Sequence, residues 1–131
     1  GTILHGTEAV LATTESSVPW TTIMIRKSFG VAAAAHYGPD GYVLAWPSAE
    51  SGPLPLEGGV AVAFKKEIAE AKNPEAKRKE LEEKMAKNQN PFPRAEAFSV
   101  HEIIDPRETR KYISLWAERI QSQLRANLVN R

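Results

Sequence analysis

The stretch IMIRKSFGVAAAAHYG, residues 23–38, constrains this chain more than any other segment. The aromatic and β-branched residues from Trp20 to Lys27 predict one buried strand. Gly30 ends it, and Ala32 to Ala35 then carry almost no side-chain volume. Such a segment lets another molecule, or another layer of the same protein, approach the backbone closely. A helix starting near Val31 has first amides without an internal acceptor. Two of these can hold an oxygen that gains negative charge in a reaction, and the helix dipole adds to the field. The same residues equally suit close packing between layers, and the segment alone leaves both meanings open.

The rest of the chain alternates strand and helix signals. Thr7 to Ser17 predicts a short helix ended by Pro19, with Val10, Leu11 and Thr14 at helical spacing. Gly38, Pro39, Asp40 and Gly41 predict a turn, and Tyr42 to Trp46 a second strand. Ser51 to Pro55 is expected as a loop, followed by a helix from about Leu56 to Ala71 with Leu56, Val60, Phe64 and Ile68 on its buried face. Asn73 and Pro74 mark the start of another helix, to about Lys87. That helix is mostly charged, with acid-first pairs Glu75–Lys79, Glu80–Lys84 and Glu83–Lys87 and only Leu81 and Met85 facing inward. Asn88 to Pro93 reads as a loop, Arg94 to Val100 as a helical turn and Glu102 to Ile104 as a strand. Asp105, Pro106 and Glu108 form a capping-box start for a last helix with Tyr112, Trp116, Ile120, Leu124 and Leu128 on one stripe. No internal repeat stands out.

Composition narrows the function classes. The 131 residues are 42% hydrophobic and 25% charged, with a formal net charge of +1. This balance gives no reason to expect nucleic acid or a membrane as the main partner. The absence of cysteine removes disulfides, thiolate nucleophiles and cysteine metal ligands. His5, His36 and His101 lack metal-ligand spacing. For His36, the one closest to the glycine turn, a structural role outweighs a catalytic one. Glu57 suits a helix start better than a general base, and Gly58-Gly59 lacks the phosphate-loop patterns. The cluster Lys65, Lys66, Lys72, Lys77, Arg78 and Lys79 is interleaved with acids and reads as a solvated face.

Four segments, RKSFGVAAAA, AWPSAESGPLPLEGGVAVAFKKE, NPFPRAEAF and EIIDPRETR, resemble the C-terminal half of the carboxyltransferase β-subunit of acetyl-, propionyl- and methylcrotonyl-type acyl-CoA carboxylases. They occur in the family's order and spacing, from about His5 to Trp116. The resemblance implies an α/β fold of the crotonase-like class, a partial superhelix of ββα units with a helical C-terminal region. It also implies that residues 1–131 are the C-terminal part of a carboxyltransferase domain, without the preceding part or the N-terminal domain.

By the same resemblance the chain is a carboxyltransferase component, moving a carboxyl group from carboxybiotin to the α-carbon of an acyl-CoA. The oxyanion donors for biotin fall on the backbone amides of Val31 and Ala32, after Gly30. Ala34 falls on the position that helps choose the acyl chain, with Phe29 and Ala33 beside it. The family often has Gly-Gly-Ala where this chain has Gly30-Val31-Ala32, and a β-branched residue resists positive φ. Arg26 and Lys27 also fit the family pattern, either orienting substrate or pairing with carboxylates. Biotin is expected on a partner domain, acyl-CoA as substrate, and no metal in this chain. The expected partners are the missing N-terminal carboxyltransferase part and the biotin carboxylase and biotin carboxyl carrier components, in a homo- or hetero-oligomer. The implied location is the cytoplasm, or the mitochondrial matrix in a eukaryote. A hydratase, hydrolase or decarboxylase of the crotonase superfamily and a non-catalytic assembly subunit are the rival readings. The first rival needs an acidic residue near the glycine turn, and none lies between Ile23 and Pro39. If preceding strands belong against this chain, exposed apolar surface is expected where they pack.

Overall fold

A computed structural model describes residues 2–38 and 41–129. Pro39 and Asp40 of the expected turn, and the side chains of Glu57 and Leu128, lie outside the described residues. Helix α1 (Thr2–Thr14) leads into β1 (Thr21–Met24), β2 (Lys27–Phe29) and α2 (Gly30–Ala34). The same order follows again as β3 (Tyr42–Ala45), β4 (Glu50–Gly52) and α3 (Leu56–Ala63). Two ββα units therefore stand one after the other, a repeat of backbone without a repeat of sequence. They stack in parallel: β1 pairs β3, with Thr21 opposite Tyr42, and β2 pairs β4, with Lys27 opposite Glu50. β5 (Glu102–Ile103) adds a third parallel strand beside β3.

The expected strand from Trp20 to Lys27 is in fact two strands in two sheets. The chain bends at Ile25 and Arg26, where the Ser48 hydroxyl donates to the Ile25 carbonyl at 2.8 Å and the Glu50 amide to that of Arg26 at 2.7 Å. A run of β-branched residues reports strand character without reporting a corner inside it. The expected Ser51–Pro55 loop begins as strand β4, because Ser51 and Gly52 pair with Ser28 and Phe29. Only that partner reveals so short a strand.

β3 lies at the centre of its sheet, and Val43, Leu44 and Ala45 are all buried. A parallel strand covered on both faces favours such an unbroken apolar run. Met24, Val43, Ala45, Ala49 and Val100 form the core cluster, with Tyr37, Ala95 and Ile103 against it.

The expected helix from Leu56 to Ala71 breaks at Phe64, whose φ of −117° separates α3 from α4 (Lys65–Ala69). Its apolar face survives the break: Val60 is buried and Leu56, Phe64 and Ile68 are half-buried. α3 packs against α5 (Pro74–Gln89). Asn73 caps α5 by accepting from the Ala76 amide at 3.1 Å, and Leu81 and Met85 turn inward as expected. Among the described residues the ion pairs along α5 are Lys77–Glu80 and Arg78–Glu82, with Lys77 also reaching Glu67, in place of the three expected from sequence. Exposed pairs differ by so little energy that spacing alone does not choose among them.

The expected loop from Asn88 to Pro93 is the end of α5 followed by the start of α6 (Pro91–Glu96). Asn90 accepts from the Phe92 amide at 3.0 Å, and Pro91 opens the helix, the arrangement already met at Asn73 and Pro74. Asp105 accepts from the Arg107 amide at 2.9 Å and starts a short 3₁₀ turn, Pro106–Glu108, that runs into α7 (Thr109–Val129). Glu108 bonds Lys111 at 2.9 Å and does not reach back as a capping box requires. α7 is anchored at its beginning, where the Trp46 indole donates to the Thr109 hydroxyl at 2.9 Å. Its stripe does not lie along the Leu56–Val60–Phe64 face, which α5 covers. Tyr112, Trp116 and Ile120 are half-buried and Leu124 is exposed.

Candidate functional site

The glycine turn joins β2 to α2. Phe29 is extended, with φ −124° and ψ 146°, and Gly30 takes φ +73°. Positive φ thus falls on the residue without a Cβ, and Val31 has no need of it. The first amides of α2 precede any intrahelical acceptor. Among the described residues no turn or loop carbonyl takes the amides of Val31 or Ala32. Val31 is 70% exposed and Ala32 is exposed, so the start of α2 lies at the surface.

Val31 and Ala32 line a space of about 760 Å³ against α1, and α2 divides two further spaces that bear on the expected site. Ala32 and Ala33 face a cavity of about 540 Å³ lined also by Ile25, Arg26, Lys27 and His36. Ala33 and Ala34 line a second of about 300 Å³, with Gly30, Pro53 and Arg94. The expected oxyanion donor Ala32 and the expected acyl-choosing residue Ala34 therefore sit on different faces of one short helix. Phe29 is half-buried, its ring beside Gly52.

None of the residues lining either cavity is Asp or Glu. A hydratase or hydrolase of the superfamily needs such a group to move a proton. The arrangement instead offers backbone donors, small side chains and cations at the rim, which suits stabilising an oxyanion. Among the described residues no group of three or more His, Cys, Asp or Glu side chains gathers as a metal site. No described helix is long and apolar enough to cross a membrane.

The three histidines separate in space and in role. His5 bonds Glu8 at 3.1 Å on exposed α1. His36 lines the larger cavity, and its carbonyl accepts from the Thr22 hydroxyl at 2.7 Å. His101 Nδ1 accepts the Val43 amide at 3.0 Å, extending the ladder beside β5 with a side chain. Nearby, burial first and then the 2.6 Å bond to Glu102 push the Tyr42 hydroxyl up to about 12.

Sequence reasoning missed Arg94, Tyr37 and Ser28. Ser28 Oγ and Tyr37 Oη lie 3.0 Å apart beside the second cavity, and Arg94 Nε is buried with no hydrogen-bond partner. Ser28 sits inside the RKSFG motif, a signal that was available. Arg94 likewise sits inside the NPFPRAEAF segment, and α6 brings it across from a distant part of the chain.

Several large apolar residues are exposed, on separate elements of the chain. Ile3 is 89% exposed, Val62 74% and Phe98 91%, and Leu4, Leu11, Val18 and Ile25 are exposed as well. On α1 the expected face is not covered: Leu11 is exposed and Val10 half-buried.

Comparisons with known proteins agree with this architecture. The methylmalonyl-CoA carboxyltransferase 12S subunit of Propionibacterium freudenreichii subsp. shermanii is 37% identical over 118 residues, 87% of this chain and 22% of that protein. The mitochondrial propionyl-CoA carboxylase beta chain of Homo sapiens is 37% identical over 118 residues, 86% of this chain and 20% of that protein. The crystal structure of transcarboxylase 12S with methylmalonyl-coenzyme A and methylmalonic acid bound superposes with a TM-score of 0.79 at 35% identity, covering 92% of this chain and 24% of that one. The beta subunit of P. aeruginosa geranyl-CoA carboxylase, at 20% identity and a TM-score of 0.80 over 90% of this chain and 24% of that one, agrees in fold. The chain spans about a fifth of the length of the curated relatives it matches. The stacked ββα units are those of the crotonase-like carboxyltransferases. The carboxyl transferase domain model matches residues 1–131, and the chain belongs to that family.

Proposed function

We propose that this chain supplies the biotin-side part of a carboxyltransferase site in a biotin-dependent acyl-CoA carboxylase. One observation carries the reading: the Val31 and Ala32 amides, which have no turn or loop acceptor among the described residues, follow a left-handed glycine, and the space of about 760 Å³ that both residues line holds no acidic residue. The fit to biotin is chemical, since a ureido oxygen that gains negative charge needs donors and a small-residue approach, and this turn has both. Carboxybiotin on a partner domain supplies the carboxyl group and, once that has left, the base for the α-proton of the thioester.

In this reading Val31 and Ala32 hold the ureido oxygen through N–H donors. Ala33 keeps the approach narrow but unblocked, and Phe29 fixes the extended entry to the turn. Polarised amides lower the energy of the charged states without a side-chain nucleophile or metal. Ala34, on the opposite face of α2, borders the acyl chain. The remaining donors, for the thioester enolate, belong to a second carboxyltransferase part. The uncovered apolar residues of α1 and α2 support its docking here. The partners in this reading are that part, biotin carboxylase and the biotin carrier, in an oligomer of the cytoplasm or mitochondrial matrix.

The test is Ala32→Pro, assayed with the carrier and the complementary part. Position 32 lies in the first turn of α2, where proline removes the donor without removing an intrahelical bond. Carboxyl transfer should fall by a factor of about 10² to 10³, the loss typical of one oxyanion donor. Wild-type rates in this variant would refute the assignment. A complete mixture without any transfer would favour a non-catalytic assembly subunit.

A further inference from the structure

α2 presents the Val31 and Ala32 amides, yet its own residues do little to hold it. It has five residues, Phe29 gives it no side-chain cap, and none of its residues is buried. A helix this short makes too few internal bonds to persist by itself, so contacts with the rest of the fold must fix it. Those contacts lie just beyond its end. The Thr22 hydroxyl donates to the His36 carbonyl at 2.7 Å, tying the exit of α2 to β1. Tyr37 then turns back: its Oη lies 3.0 Å from Ser28 Oγ, nine positions earlier, and 3.4 Å from Met24 Sδ. Both hydroxyl protons find acceptors when Ser28 donates to Tyr37 and Tyr37 donates to Met24. Met24 is 4% exposed and belongs to the core cluster against which Tyr37 packs, so that end of the relay is anchored. Ser28 at the other end stands opposite Ser51 in the β2–β4 pairing. The segment closed between Ser28 and Tyr37 is the glycine turn and the whole of α2.

We propose that Tyr37 is a positioning residue for carboxyl transfer. Together with Ser28 it braces the glycine turn and holds the Val31 and Ala32 amides at the angle an oxyanion needs. Neither hydroxyl touches the reacting atoms in this role. Oxyanion donors act by being fixed before charge develops, so a turn free to tilt loses rate without losing a donor. The inference rests on the function proposed above for the reaction it serves, while the brace itself stands on the hydrogen bonds.

The experiment uses the whole 131-residue chain with the carrier and the complementary carboxyltransferase part. Tyr37→Phe keeps the ring against the core and removes the hydroxyl, and Ser28→Ala removes the other end of the bond. Tyr42→Phe removes a hydroxyl bonded to Glu102 outside the site and is the stability control. In Tyr37→Phe, kcat/KM toward the carboxylated carrier should fall about 10-fold, a fraction of what full misplacement of a reacting group can cost. The KM for the carboxylated carrier should rise and that for the acyl thioester should hold; a chain that is merely less stable loses kcat and moves neither KM. Ser28→Ala should cost about as much, and the double variant no more than either, because all three break one bond. On the 131-residue chain, exchange of the Ala35 amide, which donates to the Val31 carbonyl at 3.0 Å, should quicken about 10-fold in both single variants and stay unchanged in Tyr42→Phe. Wild-type transfer in Tyr37→Phe overturns the proposal, and so does a double variant that loses the product of the two single losses. Lost transfer with Ala35 exchange unchanged overturns the positioning role, since the hydroxyl would then act directly. A wild-type mixture that transfers nothing refutes the carboxyltransferase reading instead, and the exchange at Ala35 then decides the brace alone.

Discussion

Replacing Gly30 by alanine separates backbone strain from crowding. Gly30 has φ +73°, and a Cβ built there meets nothing nearer than the Pro53 carbonyl oxygen at 3.7 Å, an ordinary contact. The cost is therefore conformational, about 1–2 kcal/mol for an L-residue in the left-handed region. Gly58 is the matched control: its φ is +82°, with nothing within 4 Å of an added Cβ, and it lies outside the site. Both variants should lose about 1 kcal/mol, partly offset in each by a stiffer unfolded chain. With a urea slope of about 1–3 kcal/mol per molar, the unfolding midpoint should fall by about 0.3–1 M. Relaxation at position 30 turns the Val31 and Ala32 amides, so carboxyl transfer with the full set of partners should drop in Gly30→Ala and hold in Gly58→Ala. An unchanged midpoint in Gly30→Ala, or equal loss of transfer in both, refutes the reasoning.

Two further outcomes are expected. Leu124→Glu on the exposed part of the α7 stripe should weaken assembly with the other carboxyltransferase parts while leaving the helix content by circular dichroism unchanged; a full leucine is worth about 1.5–3 kcal/mol when buried. Normal assembly in sedimentation rules out an interface there. Tyr42 carries a raised pKa in the folded chain, so its stabilising contribution is complete below about pH 10, the unfolded value, and disappears as pH rises through about 12. Tyr42→Phe should remove the latest-titrating phenol from an ultraviolet titration and flatten the loss of stability across that window; an unchanged titration refutes the assignment.

The legible parts of the chain were those set by local chemistry. Asn73 and Pro74 announced α5, and the apolar repeat of Leu56, Val60 and Phe64 announced the buried face of α3. Gly30 announced the turn, since no other residue there accepts its φ. Asn90 and Pro91 carried the same signal as Asn73 and Pro74 but were hidden inside a segment read as loop. The bend at Ile25 and Arg26 and the three-residue strand β4 depend on carbonyls and partners supplied by distant residues. Arg94 reaches its cavity only because α6 folds back beside α2, and no spacing in the sequence encodes that meeting.

The register of the central sheet also sets an order in time. Thr21 bonds Tyr42 across 21 residues, while Val43 bonds His101 across 58, with α3 to α6 in the intervening chain. Closing the longer loop of a flexible chain costs about 0.9 kcal/mol more, since the entropy of closure grows with the logarithm of length. On a ribosome the first pair has both members available well before β5 emerges. The two stacked ββα units thus form the template, and β5 arrives last, its hold on β3 extended by the imidazole of His101. Amides of β1 and β3 should accordingly gain protection from exchange before those around Ile104.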